Sequence, residues 1–379
     1  MTNRDLEFHA FCLTDTGSRL DQYAAAIAAR VKPGDTVVDL GAGSGILSLL
    51  ACRAGARRVY AIEAGKSLEL ARMLAAHHGF TDRIEFVGKR STQVVLPERV
   101  NVIVSDIHDT FGLQADGLTA TIDARDRLLA PGGTLMPCSI RLMAVPIETP
   151  DRYRRAIDVW HNTIHGVDVS PLRSLAVNLP MPTRAESSQL LAEPVSLTTI
   201  DLMRVTKPHA AGAGDSVVTR DGTLHGVCGC FVTTLTGDVT ISNMPGNSRT
   251  TNFAQAFFPI ESPVAVRAGD RVAISLDSHD GIAMRWQIEL TRAGTTIGRF
   301  DHSTLYADTL STQMLRKQAD DYRPTLTALG AVERDLLDRF DGTQTTTELE
   351  SWLTTRAASV FPSRHEAAAF LKQTLERCG

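Results

Sequence analysis

Apolar and polar positions change period along this chain, and the changes divide it. Leu20, Tyr23, Ala24, Ile27 and Ala28 recur at helical spacing and predict a helix just ahead of the first strand. Two short apolar runs, Val37 to Leu40 and Val59 to Ile62, suit strands buried on both faces, and the segment from Ile46 to Ala54 between them has helical spacing. Further strands are expected near residues 84–87, 100–105 and 133–136, the last opened by the turn Pro131-Gly132-Gly133. This alternation predicts an α/β domain over residues 1–147, an open parallel sheet with helices on both faces.

After Ile147 the period shifts to two. Val195 to Ile200, Gly229 to Leu235, Val239 to Ser242, Arg271 to Leu276 and Met284 to Leu290 are β-branched alternations punctuated by Gly, Asp and Asn. They predict an antiparallel barrel or sandwich over 148–315, with a partly helical arm near 150–185. From 318 to 379 the pattern turns helical again, with Leu336, Leu337, Phe340, Leu349 and Leu353 as a separate apolar set. Asp341-Gly342-Thr343 reads as a turn there, and Thr345 with Glu348 as a capping box opening the next helix.

The 379 residues exceed one ordinary core, in keeping with these parts. Net charge is −4, with basic and acidic residues interspersed, which disfavours bulk nucleic-acid binding. No apolar run approaches a membrane span and the N-terminus lacks a signal-peptide core, so a cytoplasmic protein is expected. The six cysteines lack paired CxxC units, and Cys228-Gly-Cys230 would place two thiols on one strand face without the partners a tetrahedral zinc site needs. Buried reduced thiols and no metal site are expected.

The richest chemistry lies at Asp39-Leu40-Gly41-Ala42-Gly43-Ser44-Gly45, between the first strand and its helix, with Glu63 at the tip of the second strand. Gly41, Gly43 and Gly45 let the backbone turn tightly and approach a ligand, while the carboxylate of Glu63 can accept both hydroxyls of a ribose. The spacing is not the GxGxxG of a pyrophosphate loop and favours S-adenosylmethionine.

Val37 to Ser48 together with Ala54 to Ala64 resembles the cofactor site of the protein arginine methyltransferase family. The resemblance continues through Ser105 to Phe111, the helix from Ala124 to Gly133, and Thr251 to Phe258, and covers roughly residues 8–300. It implies a Rossmann-like class I methyltransferase domain, a β-barrel domain whose arm builds a homodimer, and S-adenosylmethionine as cofactor. By resemblance Arg19 would hold the cofactor's methionyl carboxylate beside Tyr23. Asp39, Gly41, Gly43, Gly45, Glu63, Ala64 and Ser105 would line its site, and Lys89 and Ser91 would lie near the adenine.

Departures from the family pattern fall on the acceptor side. Asp106 replaces the first glutamate of the family's acceptor loop, Ala115 with Asp116 beside it stands at the second, and Asn252-Phe253 stands where His and Trp are expected. Two carboxylates grip a guanidinium bidentately, so losing one removes geometry and charge together. Asp106, His108 and Asp109 sit within four residues at a strand tip, where a histidine flanked by carboxylates could serve as general base; alternatively they are loop polars and Asp109 bonds its own turn. Asn252 could orient an acceptor or be a turn residue. The expected function is therefore an S-adenosylmethionine-dependent methyltransferase acting on a nitrogen or oxygen of a peptide or small-molecule acceptor. Arginine or guanidine methylation, and a cofactor-binding scaffold without activity, are the competing readings. The Phe340-Asp341-Gly342-Thr343 phrase resembles small winged-helix-like domains similar to leader-binding proteins of peptide-modifying pathways, which implies peptide recognition as one role for the C-terminal part; a structural cap or an oligomer contact is the other.

Overall fold

The computed structural model describes residues 3–14, 19–106, 108–246, 251–309 and 311–378. It forms two compact units, Met1–Asp308 and Thr309–Gly379. In the first, α1 (Asn3–Leu13) and α2 (Arg19–Arg30) precede β1 (Thr36–Leu40), α3 (Ile46–Arg53), β2 (Arg58–Ile62), α4 (Leu68–His77), β3 (Ile84–Val87), β4 (Val100–Ser105), α5 (Gly117–Leu128) and β5 (Leu129–Met136). The five strands make one parallel sheet in the order β3-β2-β1-β4-β5. Every residue of β1 is buried, as its unbroken apolar run requires. Strand order reverses at β1, so the carboxyl ends of β1 and β4 open the crevice where such sheets bind ligands. Helix α2 closes over that crevice because Arg19, Tyr23, Ala26 and Ile27 form one buried stripe.

The chain then enters the barrel with β6 (Ser139–Ile147), followed by an arm of α6 (Pro150–Ala156), the hairpin β7 (Thr163–Ile164) and β8 (Val167–Asp168), and α7 (Arg173–Ala176). Next come β9 (Met181–Thr183), β10 (Val195–Asp201), β11 (His209–Val217), β12 (Gly222–Thr236), β13 (Val239–Ser242), β14 (Gln255–Val266), β15 (Arg271–His279), β16 (Ala283–Arg292) and β17 (Thr295–Ser303). One sheet runs β10-β6-β12-β14-β9, with β13 added to β12; a second runs β11-β15-β16-β17. Phe231, Phe258, Ile274, Trp286 and Ile288 fill the barrel and join the core of the parallel sheet in one cluster.

The pattern places residues 139–147 in the first domain, but β6 pairs antiparallel with β10 and β12. An apolar strand of this length reads alike in either sheet, and the crossing falls at Pro137–Cys138, ten residues earlier than the periodicity suggests. Strand β11 escaped the pattern altogether. Its His-Ala-Ala-Gly-Ala-Gly sequence has little β preference, and pairing with β15 over its whole length imposes the strand.

The second unit contains α8 (Thr312–Lys317), α9 (Ala328–Leu337), α10 (Thr346–Arg356) and α11 (Arg364–Cys378), without a strand among its described residues. Leu336, Leu349, Leu353, Ala367 and Leu371 are its core, while Leu337 faces outward. The cap at Thr345 is reciprocal: Glu348 N–H donates to its hydroxyl and Thr345 N–H donates to the Glu348 carboxylate at 2.7 Å. No helix among the described residues is long and apolar enough to cross a membrane.

Candidate active site

The glycine loop is shaped by close approach. At Gly45, where φ is +78°, a Cβ would fall 2.6 Å from the Ala71 methyl of α4, so no side chain fits and the loop stays pressed against the helix. Gly43 lies under His9 of α1, whose Cε1 would be 3.1 Å from any Cβ there. Glu63 ties the loop to the second strand: Oε2 accepts Gly43 N–H at 3.1 Å and Oε1 accepts Gly65 N–H at 2.6 Å. Each oxygen keeps a further lone pair for ribose hydroxyls. Asp39 is buried at the strand tip, where Oδ2 accepts the Ser48 N–H at 2.8 Å and the Ser48 hydroxyl at 2.6 Å. Its Oδ1 is buried with no partner. Burial pushes the carboxyl up to about 6, against the two Ser48 bonds, with Glu63 and Asp106 adding repulsion. An orphaned buried acceptor beside a glycine cradle is what a ligand donor would satisfy, and these residues fit S-adenosylmethionine.

Ala64 is exposed beyond Glu63, Lys89 is exposed after β3, and Ser91 starts a short turn whose carbonyl accepts Arg127 Nη2 at 2.9 Å. Ser105 is buried at the end of β4; its hydroxyl donates to the Leu40 carbonyl at 2.8 Å, and its own carbonyl accepts the Tyr23 hydroxyl at 2.7 Å. These bonds fix α2, β1 and β4 to one another and set Arg19 over the strand tips.

Arg19 reaches Asp106 there. Its Nη1 donates to Asp106 Oδ2, its Nη2 donates to the Cys12 carbonyl, and the guanidinium lies 5.4 Å from the centre of the Phe253 ring. Asp106 Oδ1 meets His108 Nδ1 at 2.9 Å. Burial opposes the charge on Asp106, yet His108 and Arg19 outweigh it and hold the carboxyl below its usual range. The side chain of His108 has no exposure at all. Its Nε2 meets the Thr233 hydroxyl at 2.8 Å and its ring stacks on Phe231 at 5.0 Å. Both ring nitrogens are therefore occupied, and Asp106, with 19% of its side chain exposed, is the member of the pair that faces outward.

Asp109 takes the turn role: its Oδ1 accepts Phe111 N–H at 2.8 Å, while burial pushes its carboxyl up against that bond. Asn252 donates weakly to the Phe11 carbonyl at 3.4 Å and the Thr14 hydroxyl at 3.3 Å, bridging its loop to the end of α1. Phe258 is buried in the barrel core, and Phe257 is buried on the other face of its strand against Tyr153 and Ile157 of the arm. Ile107 lies outside the described residues.

Pattern reading missed three residues that hold the site. Thr233 sits mid-strand, 125 positions from His108. Asn243, fully buried, donates to the Thr110 and Ala254 carbonyls, both at 2.9 Å, and accepts Phe231 N–H at 2.8 Å, so it joins both loops of the acceptor face to β12. Asp280 accepts Leu118 N–H at 2.8 Å and caps α5 from the barrel. The Ser-Asn-Met-Pro-Gly and Asp-Gly turn signals mark Asn243 and Asp280, but nothing in them reveals such distant partners.

Residues 139–290 match the family described as arginine methyltransferase oligomerization subdomain, and residues 19–139 match ribosomal protein L11 methyltransferase. The chain is 32% identical over 281 residues to an arginine N(omega)-methyltransferase of Streptomyces achromogenes subsp. streptozoticus, covering 72% of this chain and 76% of that one. It is 26% identical over 249 residues to protein arginine N-methyltransferase 1 of Dictyostelium discoideum, covering 64% and 73%. Among solved structures, it superimposes on the Trypanosoma brucei PRMT1 enzyme-prozyme heterotetrameric complex with AdoHcy with a TM-score of 0.70 at 22% identity, covering 78% of this chain and 96% of that one. Arabidopsis thaliana protein arginine methyltransferase 10 gives 0.66 at 24%, covering 76% and 96%. These likenesses at low identity show the fold.

Proposed function

We propose, for a chain that belongs to the arginine methyltransferase family, that its acceptor is a neutral nitrogen or oxygen on a peptide-like or specialised-metabolite molecule. The protein is an enzyme, a methyltransferase that uses S-adenosylmethionine. That cofactor supplies a methyl group on a sulfonium; Glu63, Asp39 and the glycine loop are proposed to bind it, with Arg19 above. The observation that carries the acceptor reading is the pairing of Asp106. Both its oxygens are engaged, by Arg19 and His108, while Asp109 is turned into its own loop and position 115 is alanine. A guanidinium brought there adds a positive charge beside Arg19 with no second carboxylate to grip it. A neutral acceptor adds none until the methyl arrives. Positive charge then develops on the acceptor atom as its bond to the methyl carbon forms and the carbon–sulfur bond breaks to leave a neutral thioether; Asp106, held ionised, stabilises that charge through space, and the acceptor's proton leaves to solvent.

A second reading, arginine methylation, is favoured by the 32% identity to an enzyme named for that reaction. On that reading Asp106 exchanges Arg19 for the substrate. Labelled S-adenosylmethionine offered with an Arg-Gly-rich peptide, free arginine, and metabolite and peptide fractions of the native host separates the two. The expected label falls in a host fraction and not on the Arg-Gly peptide. Efficient methylation of that peptide overturns the neutral-acceptor reading, and transfer to free arginine alone establishes the second.

The C-terminal unit supports a peptide-like acceptor. A cavity of about 530 Å³ there is lined by Trp352, Arg339, Arg356, Asp335 and Asp338, with Arg339 stacked 4.5 Å over the Trp352 ring and its Nε buried without a partner. Planar cation and ring together suit peptide groups of mixed polarity. Six free thiols support a reducing, cytoplasmic setting.

The arm is proposed to pair two copies of the chain. Ile164, Val167 and Leu172 stand 48%, 63% and 45% exposed on or beside its hairpin, an apolar face that a monomer would leave wet. Light scattering at micromolar concentration should give a dimer for the wild type and a monomer for Ile164→Asp/Val167→Asp. A wild-type monomer overturns this.

A further inference from the structure

We propose that His209, Asp277 and His279 form a binding site for a divalent transition-metal ion of the zinc class, on the outer face of the barrel and apart from the methyl-transfer site. Residues 209 and 279 are direct register partners of the antiparallel pair β11–β15. Side chains of such partners share a face, and Asp277, two residues before His279, shares it too. That face is the solvent side: Val272, Ile274, Leu276 and Ser278 point inward in strict alternation.

The geometry is close to what a metal requires. Asp277 Oδ1 lies 3.1 Å from His209 Nε2 and 3.2 Å from His279 Nε2. All three candidate ligand atoms fall within 4.8 Å of one another, and the two rings lie 4.6 Å apart. Metal–ligand bonds of ~2.0–2.2 Å arranged tetrahedrally put neighbouring ligand atoms ~3.3 Å apart, so the two Asp–His edges need almost no movement. Two imidazoles with one carboxylate select zinc, cobalt, nickel or copper over magnesium or calcium, which prefer oxygen ligands. The cross-strand cation makes its hydrogen bonds to another carboxylate. Arg285, cross-strand from Asp277, is committed to Asp301 through Nε at 2.9 Å and Nη2 at 2.5 Å. Solvent exposure leaves the remaining coordination positions to water or a fourth ligand.

The position gives such an ion a structural consequence. His279 ends β15, and the turn that follows carries Asp280, the cap of α5. Gly281, the next residue, is pressed so near the Leu113 carbonyl that a Cβ would fall 2.6 Å from it. Fastening β15 to β11 at residues 279 and 209 thus braces the turn that holds the loop leading from Asp106 into α5.

The test uses the full chain carrying no histidine tag. Isothermal titration with zinc chloride and visible absorption with cobalt chloride should each report one equivalent bound, and His209→Gln and His279→Gln should each weaken binding by at least about 10-fold. All three side chains face solvent, so circular dichroism and the metal-free melting temperature should be unchanged in the variants, and only the wild type should melt higher with zinc. No heat or cobalt absorption in the wild type overturns the proposal. So does full-strength binding in both variants, which would place the ion on other histidines or the cysteines.

Discussion

Asp106→Asn is expected to lower turnover by about 10²–10³-fold, the size of effect seen when a preorganised group facing developing charge is removed. The substitution keeps volume and one acceptor oxygen, so the His108 contact can survive. What it removes is the charge that balances Arg19 and, on the proposed reading, faces the acceptor. Arg19 is 4% exposed, and a buried cation stripped of its partner costs about 3–5 kcal/mol of stability. Rate and stability must therefore be read separately. The check is kcat and KM under conditions where melting shows the variant folded, together with cofactor affinity by calorimetry. Asp106→Glu supplies the second arm: it restores the charge and the resembled family's side chain, and should recover the fold and part of the rate. Wild-type turnover in a folded Asp106→Asn protein overturns the role given to this carboxylate.

That carboxylate also marks where legibility in the sequence ends. The glycine loop, Glu63 and the strands around them are local, carried by a buried apolar run, a turn and a strand tip within about thirty residues, and periodicity reads them directly. Asp106 was legible as a candidate, but its partners were not: Arg19 lies 87 positions away, and Thr233, which fixes His108, lies 125 from that histidine. His108 looked like a general base because its neighbours in sequence are carboxylates. In space one ring nitrogen is taken by Asp106 and the other by a barrel hydroxyl, and we propose that His108 positions Asp106. Asp109 shows the reverse, since its bond to the turn two residues on is the most local interaction an aspartate can make. The early entry of β6 into the barrel and the pairing of β11 with β15 were hidden for a related reason. Strand partners are chosen by tertiary burial, and an Ala-Gly strand or an apolar run carries no label for its sheet.

Asp39 should make the stability of the wild type depend on pH, and Asp39→Asn should remove most of that dependence while weakening cofactor binding. Its carboxyl is pushed up to about 6 in the fold from an ordinary 3.8, because burial disfavours the charge more than the Ser48 bonds favour it. In the interval between those values the folded chain holds a proton that the unfolded chain has released. Stability from this group is therefore fully present below about pH 4, falls as pH rises toward 6, and stays at the lower level above that. A displacement of about two pKa units corresponds to ~3 kcal/mol. Asparagine cannot ionise, yet its amide oxygen can still accept from Ser48. Denaturant melts at pH 4.5 and 7.5 should then show the wild type losing about 2 kcal/mol relative to the variant as pH rises, part of the effect being already lost at pH 4.5, with other titrating groups cancelling in the comparison. Equal pH dependence in the two proteins overturns the assignment. A protein that keeps a costly buried carboxylate with one oxygen unbonded, at the mouth of its glycine loop, is predicted to use it there. Calorimetry should accordingly find S-adenosylmethionine bound about 10-fold or more weaker by the variant, the loss of one charged hydrogen-bond partner, and unchanged affinity would leave Asp39 a purely structural burden.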